Sequence, residues 1–216
     1  LGDVYKRQAN AVWDGSSVLM LSGETAVGHD PVNVVATMAR IAERADQVFD
    51  HKAWLVELAQ LRLTDTGDPD TAITDAMTHA SARALTELGI GTILCISGSG
   101  FTVRSMARFR PAARILGFSS NERTVRQLTL SWGTEPVYLS EDGDIERRVF
   151  AALNLARDQG CVAVDELVAV LAGTDVRSRS TNVLRVERVA GRAVPDQPGR
   201  THGCLLYTSP SPRDRG

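Results

Sequence analysis

Ser97, Gly98, Ser99, Gly100 and Thr102 set three hydroxyls and two glycines within six consecutive residues. Ahead of them, Thr92–Ile96 is a short apolar run rich in β-branched residues, which suits a buried strand. Behind them, Val103, Met106 and Ala107 recur at helical spacing until Pro111 stops the helix, and Thr102 is placed to cap it. A strand that breaks through Ser and Gly into a helix aims unpaired N–H groups and the positive end of a dipole at one point. With the hydroxyls of Ser97, Ser99 and Thr102 around that point, the chemistry is anion recognition, a phosphate above all. A Walker loop would need a lysine after the second glycine, and a dinucleotide fingerprint a third glycine where Val103 stands. ATP and NAD therefore fit this turn poorly. A Ser/Gly turn that only caps a helix fits the same spacing, and spacing leaves the two readings level.

A second polar loop, GTDVRSRST at residues 173–181, carries Arg177, Arg179, Ser180 and Thr181. If the strands ahead of the two loops are neighbours, both loops open at one end of the sheet and the arginines add charge to a phosphate site. The plainer reading is a solvated hairpin with two idle arginines. His29, His51, His79 and His202 are scattered, as are Cys95, Cys161 and Cys204, so neither a metal cluster nor a CxxC pair is expected. Widely spaced cysteines in odd number suit a reduced, cytoplasmic setting. A formal charge of −2 supplies no pull towards nucleic acid or a membrane surface. No apolar run reaches the roughly 18 residues of a membrane span, and no signal-peptide pattern opens the chain.

The elements that must hold these residues alternate. Residues 9–14 read as the end of a helix stopped by Gly15, residues 17–21 as a short apolar strand, and residues 22–28 as a tight turn. Asp30 and Pro31 then open a helix with Val32, Val35, Ala36, Ala39, Ala42, Ala45 and Val48 on one apolar face. This single βα unit cannot close a sheet by itself. Residues 51–70 read as a less regular connection. From residue 71 a helix presents Ile73, Ala76, Met77, Ala80, Ala84 and Leu88 as its inner face. After Thr92–Ile96 and its helix come a strand at 113–118, a helix at 121–132 with Val125 and Leu128 inward, and a strand at 135–139. Next are a helix at 145–159, with Ile145, Val149, Leu153 and Ala156 on one side, and strands at 167–172 and 182–189. The expected fold is a three-layer α/β/α domain on a mostly parallel five-stranded sheet. Its last strand is antiparallel, because no helix separates it from the fourth. In such sheets ligands settle beyond the strands' carboxyl ends, where the strand order reverses. Residues 1–8 and 191–216 show no core-forming period and are set aside as non-native tails.

Two stretches resemble a known family. ANAVWDGSSVLMLSGETAVG, followed by Pro31 and MARIAE, is similar to pyruvate kinase at the last βα unit of its catalytic (β/α)8 barrel. ISGSGFTVRSMARFRP and GTDVRSRSTNVLRV resemble the effector loop and closing hairpin of that enzyme's C-terminal regulatory domain. The resemblance runs from residue 9 to about residue 189. It implies a barrel remnant at 9–50, a connection at 51–70 and the regulatory domain at 71–190. The family transfers phosphoryl from phosphoenolpyruvate to ADP, using Mg²⁺ and a monovalent cation, usually K⁺, to neutralise charge around the moving group. Its Mg²⁺ carboxylates and catalytic lysine lie on upstream barrel strands, so this stretch alone is expected to be inactive and to bind neither ion. Ser22 matches a serine placed near the family's substrate pocket, a candidate proton relay at the carboxyl end of a barrel strand; shaping the turn with Gly23 is the alternative. Ser97, Gly98, Ser99, Gly100 and Thr102 match effector phosphate-binding positions, with Arg177, Arg179, Ser180 and Thr181 in the loop that folds over the effector. The implied partners are a phosphorylated metabolite or nucleotide effector, the N-terminal remainder of the same enzyme, and three further copies in a homotetramer. A stand-alone phosphometabolite-binding or assembly domain is the alternative, and the SGETAVG unit speaks against it.

Overall fold

β1 (Thr92–Ile96), β2 (Arg114–Ser119), β3 (Thr134–Tyr138), β4 (Leu167–Ala172) and β5 (Val183–Arg188) form one sheet in the order β3-β2-β1-β4-β5. The computed structural model describes residues 2–62, 69–141, 143–173 and 181–191 of the chain. β1 pairs in parallel with both β2 and β4, β2 with β3, and only β5 runs antiparallel, against β4. The central strands read as continuous apolar runs because both of their faces are covered. Alternate residues of each strand point to opposite faces. Ile93, Cys95, Ile115, Ala169 and Leu171 meet helices α5 (Pro69–Leu88) and α6 (Phe101–Arg108) on one side. Leu94, Ile96, Leu116, Phe118, Val168 and Val170 meet α8 (Ile145–Asp158) on the other. The short α7 (Glu122–Leu128) adds Leu128 to the first cluster. This is the three-layer, mostly parallel architecture expected from the alternation of elements. The sheet strands lie within a residue or so of their expected bounds.

The amino-terminal quarter departs further from expectation. Residues 2–13 form helix α1 (Gly2–Trp13), although the first seven of them carry no periodic pattern. Residues 17–21 are not a strand: no ladder partner stands beside them among the described residues, and Val18 and Met20 are 53% and 85% exposed. Apolar composition makes a strand only where a neighbour supplies its hydrogen bonds. A four-residue helix, α2 (Gly23–Ala26), comes next, then α3 (Pro31–Gln47), where the Asp30 carboxylate accepts from Asn33 N as expected for its cap. The apolar face of α3 is split. Ala45 is buried where α3 packs on α1, whereas Val32, Val35 and Val48 are exposed. Residues 51–62 are not irregular but helical, as α4 (His51–Arg62), because Asp50 Oδ1 accepts from the N–H groups of Lys52 and Ala53 and nucleates the first turn. Among the described residues no helix is long and apolar enough to cross a membrane.

Helix α5 buries a different face from the one expected. Thr74, Thr78, Ser81, Ala82 and Leu85 face inward, and Ile73 and Leu88 are exposed. The hydroxyls of Thr78 and Ser81 donate to the carbonyls of Thr74 and Met77 one turn back. Satisfied locally, these small polar side chains can be buried, and they let the helix approach the sheet closely.

Arg110 fastens the amino-terminal helices to the sheet domain. It is 1% exposed and sits at φ +44°, in the left-handed region. Its Nη1 donates to Val12 O at 2.6 Å and its Nη2 to Ser16 O at 2.5 Å. The guanidinium carbon lies 5.0 Å from the Phe49 ring centroid and 5.1 Å from that of Trp132, within cation–π range. Asp46 stands 3.8 Å away and accepts from Trp132 Nε1. Desolvation pushes the Arg110 pKa down and Asp46 opposes it, leaving a buried cation well inside its charged range. The Arg110 carbonyl in turn accepts from His51 Nδ1 at 2.7 Å, and Trp54 Nε1 donates to Arg108 O.

Two ion pairs clasp the sheet periphery. Arg185 of β5 grips Glu146 of α8 through both carboxylate oxygens, and Arg114 of β2 grips Glu135 of β3. Hydrogen bonds from these arginines hold the carboxyls of Glu146 and Glu135 below their ordinary value of 4.5. A lowered folded pKa contributes stability that is complete above the unfolded value and fades as pH falls through the folded one. Both carboxylates are more than a third exposed, at 38% and 53%, so each pair contributes only about 0.5 kcal/mol after screening. Glu135→Gln and Glu146→Gln should leave a shallower loss of stability below pH 4.5, read from urea midpoints across pH.

Candidate functional site

The strand order reverses between β1 and β4, and the loops leaving those two strands start there. The first is the turn 97–100. Ser97 N donates to Phe118 O, so this amide is spent on the sheet. Gly98 O is held by two hydroxyls, Ser119 Oγ at 3.1 Å and Thr124 Oγ1 at 3.0 Å. Gly100, not Thr102, stands at the start of α6; its φ of +75° turns the chain into the helix without a side-chain cap. A Cβ at Gly100 would lie 2.8 Å from Arg104 Nη1 and 3.0 Å from Leu128 Cδ2, so the turn requires glycine for space as well as conformation. Phe101 N reaches Ser99 Oγ at 3.4 Å, while the first-turn N–H groups have no carbonyl four residues back.

Thr102 serves another purpose. It is buried, and its Oγ1 lies 2.6 Å from Thr181 Oγ1, the residue that ends the second loop. One of these hydroxyls donates to the other, and the acceptor keeps its own proton for a further bond. Thr181 N is itself anchored to Thr74 Oγ1 at 2.9 Å. At the other end of that loop, Gly173 O accepts from Arg148 Nη2 at 3.0 Å. The second loop is thus tied to α6 and α5 at its Thr181 end and to α8 at its Gly173 end. Arg177, Arg179 and Ser180 lie outside the described residues. Ser99 faces solvent and Ser97 is buried at the strand end. The structure brings Thr102 and Thr181 together beside the turn. Ser22 stands apart, exposed at the start of α2, with its N–H donating to Glu24 Oε2 and its carbonyl accepting from Thr25 Oγ1. Backbone hydrogen bonds from Glu24 itself and from Ser22 lower the Glu24 pKa, which marks a carboxylate used to shape the turn.

Sequence reasoning misses the side chains that hold this site in shape. Thr74 falls on no expected apolar face, and its only signal is a Thr-x-x-x-Thr spacing on α5. Arg104, whose Nη2 donates to Ser99 O at 3.1 Å, puts a cation at the lip of the turn. A basic residue in the first turn of a helix opposes the dipole unless an anion is to be shared, and that mismatch is the legible hint. Gly100→Ala should cost about 1–2 kcal/mol through its positive φ and the crowding by Leu128 and Thr124. A urea midpoint unchanged by that substitution would refute this account of the turn.

Residues 75–187 match the family model described as pyruvate kinase, alpha/beta domain. The chain is similar to the pyruvate kinase of Clostridium acetobutylicum, 30% identical over 182 residues, which covers 84% of this chain and 37% of that protein. Against the pyruvate kinase of Geobacillus stearothermophilus it is 34% identical over 183 residues, 84% of this chain and 30% of the relative. In the solved structures, a pyruvate kinase from Cryptosporidium parvum shares the fold with a TM-score of 0.72 at 23% identity, covering 86% of this chain and 36% of that one. The chain therefore spans about a third of the length of these relatives. Because the family model runs from within α5 into β5, across the sheet and both loops at its switch point, this chain belongs to the pyruvate kinase family.

Proposed function

We propose that the chain is the C-terminal part of a pyruvate kinase and that its sheet domain binds a phosphorylated effector in the cradle of residues 97–102 and Thr181. The observation that carries this reading is the meeting of the β1–α6 turn with the end of the second loop through the Thr102–Thr181 hydroxyl pair. At that point the first-turn amides of α6, the remaining hydroxyl proton and Arg104 can converge on one anion. The effector's chemical class is a sugar phosphate or a nucleotide, read through its phosphate, with Arg177 and Arg179 supplying further charge from the second loop.

The whole enzyme would transfer phosphoryl from phosphoenolpyruvate to ADP in the cytoplasm, as a homotetramer. Mg²⁺ and K⁺ belong to that reaction; among the described residues no group of three or more His, Cys, Asp or Glu side chains gathers. No step of the reaction is assigned to a metal in this part. Its contribution to the catalytic side is Ser22, which would stand at the rim of the substrate pocket and relay a proton. The unpaired segment 17–21 beneath it would become the last barrel strand once neighbours are supplied.

Calorimetric titration with a panel of sugar phosphates and nucleoside monophosphates tests the cradle. At least one should bind, and Ser99→Glu should abolish that binding by setting a carboxylate where the phosphate sits. Silence towards the whole panel, or full affinity in Ser99→Glu, would leave an assembly domain as the better reading. The chain alone should form no ATP from phosphoenolpyruvate and ADP, and any turnover in a coupled assay would contradict the proposed division of labour.

A further inference from the structure

We propose that Arg110 is a positioning residue that makes the placement of residues 16–22 depend on the state of the cradle, with α6 as the rigid link. The proposal rests on the cradle being an anion site, whereas the link itself can be tested without any ligand.

Helix α6 starts at Gly100 and ends at Arg108, two residues before Arg110. Eight residues of α-helix put the cradle and Arg110 about 12 Å apart, at opposite ends of one rod. Thr102, Val103, Ser105, Met106 and Ala107 are all buried, so the helix shifts as a unit if it shifts at all. At its far end the Arg110 fork does not spend itself on a close carboxylate, since Asp46 is 3.8 Å away and 40% exposed. It holds the carbonyls of Val12 and Ser16, which flank the Gly15 turn. Gly15 itself is at φ +91°, where a Cβ would meet the Trp54 ring at 2.9 Å, so this turn has little room to adjust. From Ser16 the chain runs through 17–21, with no ladder partner among the described residues, and reaches Ser22. The position of that segment therefore hangs on the Arg110 contacts.

Two features suggest that this arrangement is one of two. A bulky non-glycine residue at φ +44° persists only where its surroundings over-determine it. In the middle of the same helix, Ser105 Oγ is buried with no hydrogen-bond partner. Both costs are borne by the present setting of α6, and a second setting that gave Ser105 Oγ a partner and took Arg110 out of the left-handed region would relieve them. An anion drawn onto the first-turn amides favours the setting in which those amides converge. It thereby biases the far end, where the fork either holds Val12 O and Ser16 O or surrenders them to water.

Hydrogen exchange of peptides covering residues 12–22 provides the test, with inorganic phosphate as the probe. Phosphate should slow exchange there about fivefold in the parent chain, and Gly100→Ala, without ligand, should speed it. In Arg110→Met both responses should vanish although calorimetry still shows phosphate bound. Arg110→Lys, which keeps the charge but loses the two-pronged fork, should restore at most a minor part and serves if the methionine variant does not fold. Sites further apart than about 7–10 Å without shared partners normally act additively. Additive effects of Gly100→Ala and Arg110→Met on exchange at 12–22 would therefore overturn the link. So would a phosphate response of equal size in both Arg110 variants and the parent. If phosphate fails to bind the parent chain, the anion reading falls by itself, and the ligand-free cycle still decides the link.

Discussion

Burying a guanidinium deprives it of water, and the loss must be made good by groups arranged around it. At Arg110 the replacements are two aromatic faces, two backbone carbonyls and a distant carboxylate. None of these comes from α6, the helix that leads to the residue. Asp46 lies in the last turn of α3 and Phe49 just beyond it, Val12 and Ser16 flank the Gly15 turn, and Trp132 stands between α7 and β3. One side chain on the sheet domain thus gathers separate pieces of chain, and the amino-terminal helices are held where they are because a buried cation needs all of them. His51 and Trp54 reinforce the joint by donating to the backbone of Arg110 and Arg108.

The sheet domain rests on a simpler principle. Three strands buried on both faces and an antiparallel edge give a continuous core that fixes the carboxyl ends of β1 and β4. The β1–α6 turn gains definition from hydroxyls on two neighbouring elements, Ser119 and Thr124, and the two ends of the second loop are tied by Thr74 and Arg148. Amides presented together at a helix start suit an anion, whose charge they meet as a group. The amino-terminal unit lacks such definition. Val18, Met20, Val32 and Val35 face solvent.

Sequence by itself determined the sheet domain almost completely. Alternation of apolar runs with helical periods, punctuated by Gly89, Gly133 and Pro111, specifies strands and helices locally, and short crossovers leave little freedom of topology. The turn at Ser97–Thr102 was legible for the same reason, as a departure from both periods at a strand's end. Tertiary structure alone decided the rest. It chose the Thr74–Thr78–Ser81 face of α5, because hydroxyls bonded to their own helix lose the polarity that a hydropathy pattern counts. It denied residues 17–21 a strand, because a ladder requires a second chain segment that no local pattern can supply. It paired Thr102 with Thr181 and placed Arg110 among Val12, Ser16, Phe49 and Trp132, contacts between residues far apart in the chain. Such contacts depend on where the backbone has already gone, and a residue's type and near neighbours carry no record of that.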